Sequence, residues 1–123
     1  MNRGRFLSSR DKGNIYESIA CNYLVGNGYS IFERNLSTKL GEIDILAKKD
    51  NVLVLVEVKG KNSEKFGHPL EFITKSKLLK IKKAYNLLLS EGVLPEHEVV
   101  RIDVIYFKPN SEYVHIIGDD WIL

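Results

Sequence analysis

The run Gly41-Glu42-Ile43-Asp44-Ile45-Leu46-Ala47-Lys48-Lys49-Asp50-Asn51-Val52-Leu53-Val54-Leu55-Val56-Glu57-Val58-Lys59 decides how this chain folds. Its apolar segments, residues 42–47 and 52–58, read as β-strands. The second is rich in β-branched and apolar residues, as expected of a central strand covered on both faces. Asp50-Asn51 reads as the centre of a two-residue turn. Lys49 then faces Val52, Asp44 falls opposite Glu57, and Glu42 falls opposite Lys59. Side chains alternate, so Glu42, Asp44, Leu46 and Lys48 share a face with Leu53, Leu55, Glu57 and Lys59. The other face carries Ile43, Ile45, Ala47, Val54, Val56 and Val58. A slip of one residue would exchange the faces, so burial enforces this register.

Outward from the hairpin, residues 1–12 lack periodicity and are expected to form a flexible arm, made basic by Arg3, Arg5, Arg10 and Lys12. Residues 13–123 form a single domain. A helix is expected over 14–25, where Ile15, Ile19 and Tyr23 join Tyr16, Ala20 and Leu24 in one broad apolar stripe. Gly26-Asn27-Gly28 ends it. Residues 29–34 read as a short strand, and Phe66-Gly67-His68-Pro69 as a loop. A second helix starts after Thr74, an N-cap, and runs to Ser90 with Gly92 just past its end. Its buried stripe is Leu78, Ile81, Ala84, Tyr85 and Leu88. Strands follow over 99–107 and 112–117, joined by a turn at Lys108-Pro109-Asn110-Ser111. The order helix-strand-strand-strand-helix-strand-strand predicts an α/β fold. Its mixed sheet has a helix on each face, and a crossover returns the fourth strand parallel to the third.

Composition restricts the function. The length of 123 residues suits one domain, and 44% hydrophobic with 28% charged residues is ordinary for a soluble protein. The single Cys21 forms no internal disulfide and reads as a packing residue. No apolar run is long enough for a membrane span and no signal segment follows the N-terminal basic residues, so a cytoplasmic location is expected. A net charge of +2 does not itself indicate a nucleic-acid partner. Lys75, Lys77, Lys80, Lys82 and Lys83 cluster on the second helix, where they either follow a phosphate backbone or form a solvated face.

Asp44 and Glu57 directly across a hairpin would repel if both were ionised. A divalent cation offsets that repulsion, and Mg²⁺ favours carboxylate oxygens. Two carboxylates and Lys59 at a strand end are the parts of a metal-dependent phosphodiester-cleaving site. An ion-pair cluster without metal, Glu42 with Lys59 and Asp44 with Lys48, accounts for the same residues. Glu17 lies at the edge of the first helical stripe, either exposed or reaching round to the sheet end. Lys77 borders the stripe of the second helix and faces the cleft. Arg101 and Asp103 share a strand face and read as a structural pair. His68 and His97 read as loop and exposed residues, and His115 faces away from Val114 and Ile116.

Gly41-Glu42-Ile43-Asp44 followed by Glu57-Val58-Lys59 resembles the D…(D/E)-x-K signature of restriction-endonuclease-like nucleases. The whole chain resembles the YraN-like family of uncharacterised bacterial proteins, predicted endonucleases distantly similar to archaeal Holliday-junction resolvases. The resemblance includes Gly13, Glu17, Ala20, Arg34-Asn35, Phe66-Gly67, Lys77, Ala84, Arg101, Asp103-Val104 and His115-Ile116. Lys61 stands where arginine is frequent, and Trp121 where phenylalanine is. The resemblance implies a three-layer α/β/α sandwich of the restriction-endonuclease type. It implies Mg²⁺ (or Mn²⁺) held by Asp44, Glu57 and Glu17, with Lys59 catalytic and Glu42 steering Lys59. Lys61, Lys77 and Lys75 are the expected nucleic-acid contacts. DNA, branched or structured, is the expected partner, and cutting two strands of a junction implies a homodimer. A non-catalytic nucleic-acid-binding module and a protein–protein adaptor are the competing functions.

Overall fold

Asp50 adopts a positive φ of 54° and closes the two-residue turn between β2 (Gly41–Lys49) and β3 (Val52–Lys59). Asparagine and aspartate tolerate this left-handed conformation better than most residues. The ladder then runs Lys49↔Val52, Lys48↔Leu53, Ala47↔Val54, Leu46↔Leu55 and Ile45↔Val56, the expected register. The computed structural model describes residues 9–60 and 74–122, with side chains over 15–60 and 74–119. Residues 1–8 of the arm, Lys61 and the Phe66-Gly67-His68-Pro69 segment lie outside the described residues.

On one side, β1 (Ser30–Thr38) pairs antiparallel with β2, its register shifting between Ile31 and Glu33. It outlasts the expected 29–34 because Asn35, Ser37 and Thr38 belong to an edge strand that needs no apolar alternation. On the other side, β3 pairs in parallel with β4 (Val99–Phe107), from Val52↔Val99 to Lys59↔Tyr106. Asn51 pins that crossover, its carbonyl accepting the Glu98 and Val99 N–H groups at 2.9 and 3.2 Å. β5 (Tyr113–Ile116) adds antiparallel to β4. A sixth strand, β6 (Asp120–Ile122), pairs with the start of β4 and was not expected, since three residues carry too little alternation to be read. The sheet order is β1-β2-β3-β4-β5, with β6 beside β4.

The helices α1 (Ser9–Gly26) and α2 (Lys75–Ser90) cover opposite faces, making the α/β/α sandwich expected from the sequence. Ala20, Cys21 and Leu24 of α1 pack on Ile45, Ala47, Val54, Val56, Ile105 and Phe107. Ile81, Ala84, Tyr85 and Leu88 of α2 pack on Leu46, Leu53, Leu55 and Val100. Strand β3 is thus dry on both faces. Among the described residues no helix is long and apolar enough to cross a membrane.

Three details differ from the expected pattern. α1 begins at Ser9 rather than at Asn14, because its polar first turns show no stripe. Its buried face runs through Tyr16, Glu17, Ala20, Cys21 and Leu24, leaving Ile15 and Ile19 at 43% and 39% exposure. Ala20, Cys21 and Leu24 pack on the sheet, and this roll of the helix carries Glu17 inward. Ile43 packs with the α2-side cluster and not with Ile45, so simple alternation fails just beyond the last β2–β3 pair.

A buried polar network ties β4 to its neighbours. The Arg101 guanidinium donates twice to Asp103, at 2.8 and 3.0 Å, and once to the Tyr29 hydroxyl at 2.9 Å. His115 Nε2 lies 2.7 Å from Asp103 Oδ2, and the Tyr23 hydroxyl meets Nδ1 at 2.9 Å. Asp103 is fully buried and also accepts the Gly118 N–H. Burial favours its neutral form, but these donors outweigh that and hold its pKa below the usual carboxylate value. The Arg101–Asp103 pair matches expectation, whereas the role of His115 was missed. His97 is half-buried rather than exposed and meets the Tyr85 hydroxyl at 2.7 Å.

Replacing Asp103 by Ala strands a largely buried guanidinium and is expected to destabilise the fold by about 3–5 kcal/mol. Gly118→Ala is expected to lower the melting temperature as well, because its Cβ would stand 2.0 Å from the Ile102 carbonyl oxygen. Chemical denaturation of the first variant and thermal melting of the second check these outcomes.

Candidate functional site

The β2–β3 ladder ends at Ile45↔Val56, one step short of Asp44 and Glu57. Beyond it, each strand is held by its outer neighbour: β2 by β1 through Thr38↔Gly41, and β3 by β4 through Lys59↔Tyr106. In place of a ladder bond, the Asp44 carboxylate accepts the Val58 N–H at 2.8 Å. A side chain therefore satisfies a backbone donor at the point where two central strands part. The gap opens beneath the N-terminus of α2 into a cavity of ≈ 480 Å³, lined by Glu42, Asp44 and Glu57 on one side and Thr74, Lys77 and Lys80 on the other.

Local features fix the walls. Thr74 caps α2, its hydroxyl accepting the Lys77 N–H at 3.0 Å, and so sets where Lys77 leaves the helix. Gly41 admits the helix backbone, since a Cβ there would come within 2.8 Å of the Lys80 carbonyl oxygen. Thr38 folds the preceding turn back on itself by accepting the Leu40 and Gly41 N–H groups.

Charge is concentrated on Glu57, which is only 5% exposed. Its Oε2 ion-pairs with Lys77 Nζ and lies 3.3 Å from Lys59 Nζ. Burial raises the pKa of Asp44 to about 7, helped by the Glu57 charge and opposed by the Val58 N–H. Burial works against the ammonium form of Lys77, yet contact with Glu57 wins and its pKa is raised. Glu17 reaches the same end of the sheet from α1. Burial raises its pKa, Asn35 and Arg34 pull it down, and Glu57 and Glu42 push it up. Its Oε1, 3.8 Å from Arg34 Nη2, has no hydrogen-bond partner.

The expected site residues thus divide. Asp44, Glu57, Lys59 and Lys77 meet at the gap, and Glu17 is buried close enough to feel their charge. The ion pairs of the metal-free alternative, Glu42 with Lys59 and Asp44 with Lys48, are not the ones formed: Lys59 pairs with Glu57, and Asp44 accepts the Val58 N–H. Glu42 is exposed and lines the cavity. Lys75 is exposed at the helix start and does not line it. Lys80 is exposed, as a solvated helix face requires, and also lines the cavity, three residues after Lys77 on the same side of the helix.

Among the described residues, no three His, Cys, Asp or Glu side chains close into a metal cluster, so Glu17 does not complete a triad with Asp44 and Glu57. The chemistry of the pair still fits a hard divalent cation. Both donors are carboxylates, and their mutual repulsion is only partly offset at Asp44 by the Val58 N–H. Mg²⁺ requires few protein ligands, because it keeps several waters.

The raised Asp44 pKa has a consequence for stability. The folded protein holds the Asp44 proton up to about pH 7. The unfolded chain releases it near pH 4. Folding therefore takes up a proton between these values, and this group's contribution falls as pH rises through that window. Asp44→Asn is expected to raise the melting temperature at pH 8 and to change it little at pH 4, in chelator-containing buffer. About 1 kcal/mol corresponds to roughly 3–6 °C for a domain of this size. Calorimetric scans at the two pH values check this.

With this geometry in place, similarity to other proteins takes on meaning. Residues 16–107 match the model of Uncharacterised protein family UPF0102, a span from α1 to the end of β4 that includes every residue of the site. A UPF0102 protein of Sulfurihydrogenibium sp. (strain YO3AOP1) is 41% identical over 105 residues, covering 85% of this chain and 90% of its own length. One from Vibrio cholerae (strain ATCC 39541) is 31% identical, covering 95% and 93%. One from Clostridium botulinum (strain Loch Maree) is 41% identical, covering 79% of each. The YraN-like resemblance is thereby met, and the chain belongs to the uncharacterised family UPF0102.

Proposed function

We propose that this protein is an endonuclease that hydrolyses phosphodiester bonds in DNA with Mg²⁺ or Mn²⁺ as cofactor. The observation that carries the reading is the Asp44–Glu57 pair at the parted strands, with two lysines directed at it. A fold without use for this pair would gain stability by losing Asp44, whose burial beside the Glu57 charge is only partly offset by the Val58 N–H. Asp44 and Glu57 would hold the cation. Bound there, it would polarise a phosphate and acidify a water.

The remaining chemistry falls to the chain's own groups. Hydrolysis forms a bond from the water oxygen to phosphorus, breaks the bond to the leaving sugar oxygen, and delivers a proton to that oxygen. Lys59 Nζ stands beside Glu57, where its charge stabilises the anionic pentacovalent transition state and orients the attacking water. A lysine suits this better than an arginine because it also exchanges a proton. Lys80 and the N-terminal end of α2 attract the flanking phosphates. Cutting both strands of a branched duplex would call for two copies of the chain.

The test is incubation of the purified protein with linear, single-stranded and four-way-junction DNA and Mg²⁺ or Mn²⁺. Lys59→Ala is expected to cut at least about 100-fold more slowly. Cleavage at an undiminished rate in that variant would sink the assignment. Millimolar Mg²⁺ is also expected to raise the melting temperature of the wild type and leave that of Asp44→Asn unmoved, because only a folded pair binds the ion.

A further inference from the structure

We propose that Lys77 is an exchangeable counter-ion of Glu57. It competes with the divalent cation for that carboxylate and turns to a DNA phosphate when the cation takes its place. The inference rests on the cation reading above and adds the order of events at the site. Glu57 Oε2 is engaged by two ammonium groups, Lys77 and Lys59. An oxygen so engaged ligates a cation only if at least one ammonium withdraws, and a dication beside two ammonium groups is repelled by both.

The two lysines are not equivalent. Lys59 sits on the same strand as Glu57 and its side chain is 21% exposed. Lys77 comes from a different element across the cavity, and its side chain is 39% exposed. Its stem can therefore swing towards water without disturbing the sheet. Its backbone stays fixed throughout by the Lys77 N–H bond to Thr74 Oγ1.

An independent feature points the same way. Lys77 lies in the first turn of α2, which contains no acidic residue. Backbone dipoles make that end of the helix positive, so a lysine there is unfavourable without an anion. Glu57 is that anion in one state. When it turns to the cation, the nearest chemistry able to replace it is a phosphate of the substrate, at a helix N-terminus already suited to anions. Cation loading and DNA grip are then linked through one side chain.

The linkage gives one substitution opposite effects on two ligands. Mn²⁺ binding, followed by titration calorimetry without DNA, is expected to be about tenfold tighter in Lys77→Met than in wild type. Lys80→Met removes an equal charge from the same cavity without touching Glu57 and should stay within about twofold of wild type. Lys77→Arg keeps a cation on Glu57 and should bind Mn²⁺ no more tightly than wild type. Binding of a short labelled DNA duplex, with Ca²⁺ as the ion, should weaken in Lys77→Met. Melting curves establish that each variant folds. Wild-type Mn²⁺ binding that Lys77→Met leaves unchanged or weakens overturns the exchange and spares the cation site. Tighter Mn²⁺ with undiminished DNA binding overturns the transfer to phosphate. Absence of Mn²⁺ binding in all four proteins overturns the cation site and the exchange together, whereas binding by Lys77→Met alone supports the exchange.

Discussion

The structure depends on where the β2–β3 ladder stops. Through Ile45↔Val56 the two strands are joined by ordinary backbone pairing, and beyond Lys48 and Lys49 at the turn the paired residues on both faces are apolar. One step further, the Asp44 side chain takes the Val58 N–H that a ladder would have used. The substitution allows the strands to part without orphaning a buried donor, which a sheet interior tolerates poorly. The gap is stable because β1 and β4 keep hold of the outer edges of the two strands. Without those neighbours the ends would fray, and the carboxylates would lose their fixed positions.

Charge balance follows from that geometry. Asp44 and Glu57 come together at the same buried strand end, and their surroundings differ. Glu57 acquires two ammonium partners. Asp44 receives one backbone N–H, which only partly offsets its burial. The sheet end is thus left with a carboxylate that titrates near neutrality beside one that is over-supplied with cations. The Arg101–Asp103–His115 network shows the contrasting arrangement. There every oxygen of a fully buried carboxylate is matched, and its pKa falls. One carboxylate is matched on every oxygen, whereas the other two divide the available partners unequally, two lysines to Glu57 and one backbone N–H to Asp44.

Much of this was legible in the residues. Strict alternation fixed the faces of β2 and β3 up to Ile45. Asp50-Asn51 fixed the turn, and Thr74 and Gly92 marked the limits of α2 within a residue. These are local signals, carried by side-chain periodicity and by residues suited to caps and positive φ. Others were faint. The polar end of β1 and the three residues of β6 are strands because a neighbour pairs with them, and nothing in their own composition says so. The roll of α1 that exposes Ile15 and buries Glu17 depends on which small residues meet the sheet. His115 gave no sign that Asp103, on the neighbouring strand, would be its partner.

The sequence alone determined the elements, their order, the register of the central hairpin and the grouping of Asp44, Glu57 and Lys59 at one strand end. It could do so because strand periodicity and short turns act over a few residues. Only the tertiary structure decided that the ladder breaks before Asp44, that Lys59 pairs with Glu57 rather than Glu42, and that Lys77 crosses the cavity to the same oxygen. Those outcomes depend on burial and on charges brought together from α1, the sheet and α2. Glu17 on α1 and Lys77 on α2 both come to bear on Glu57 only when the two helices have docked on opposite faces of the sheet.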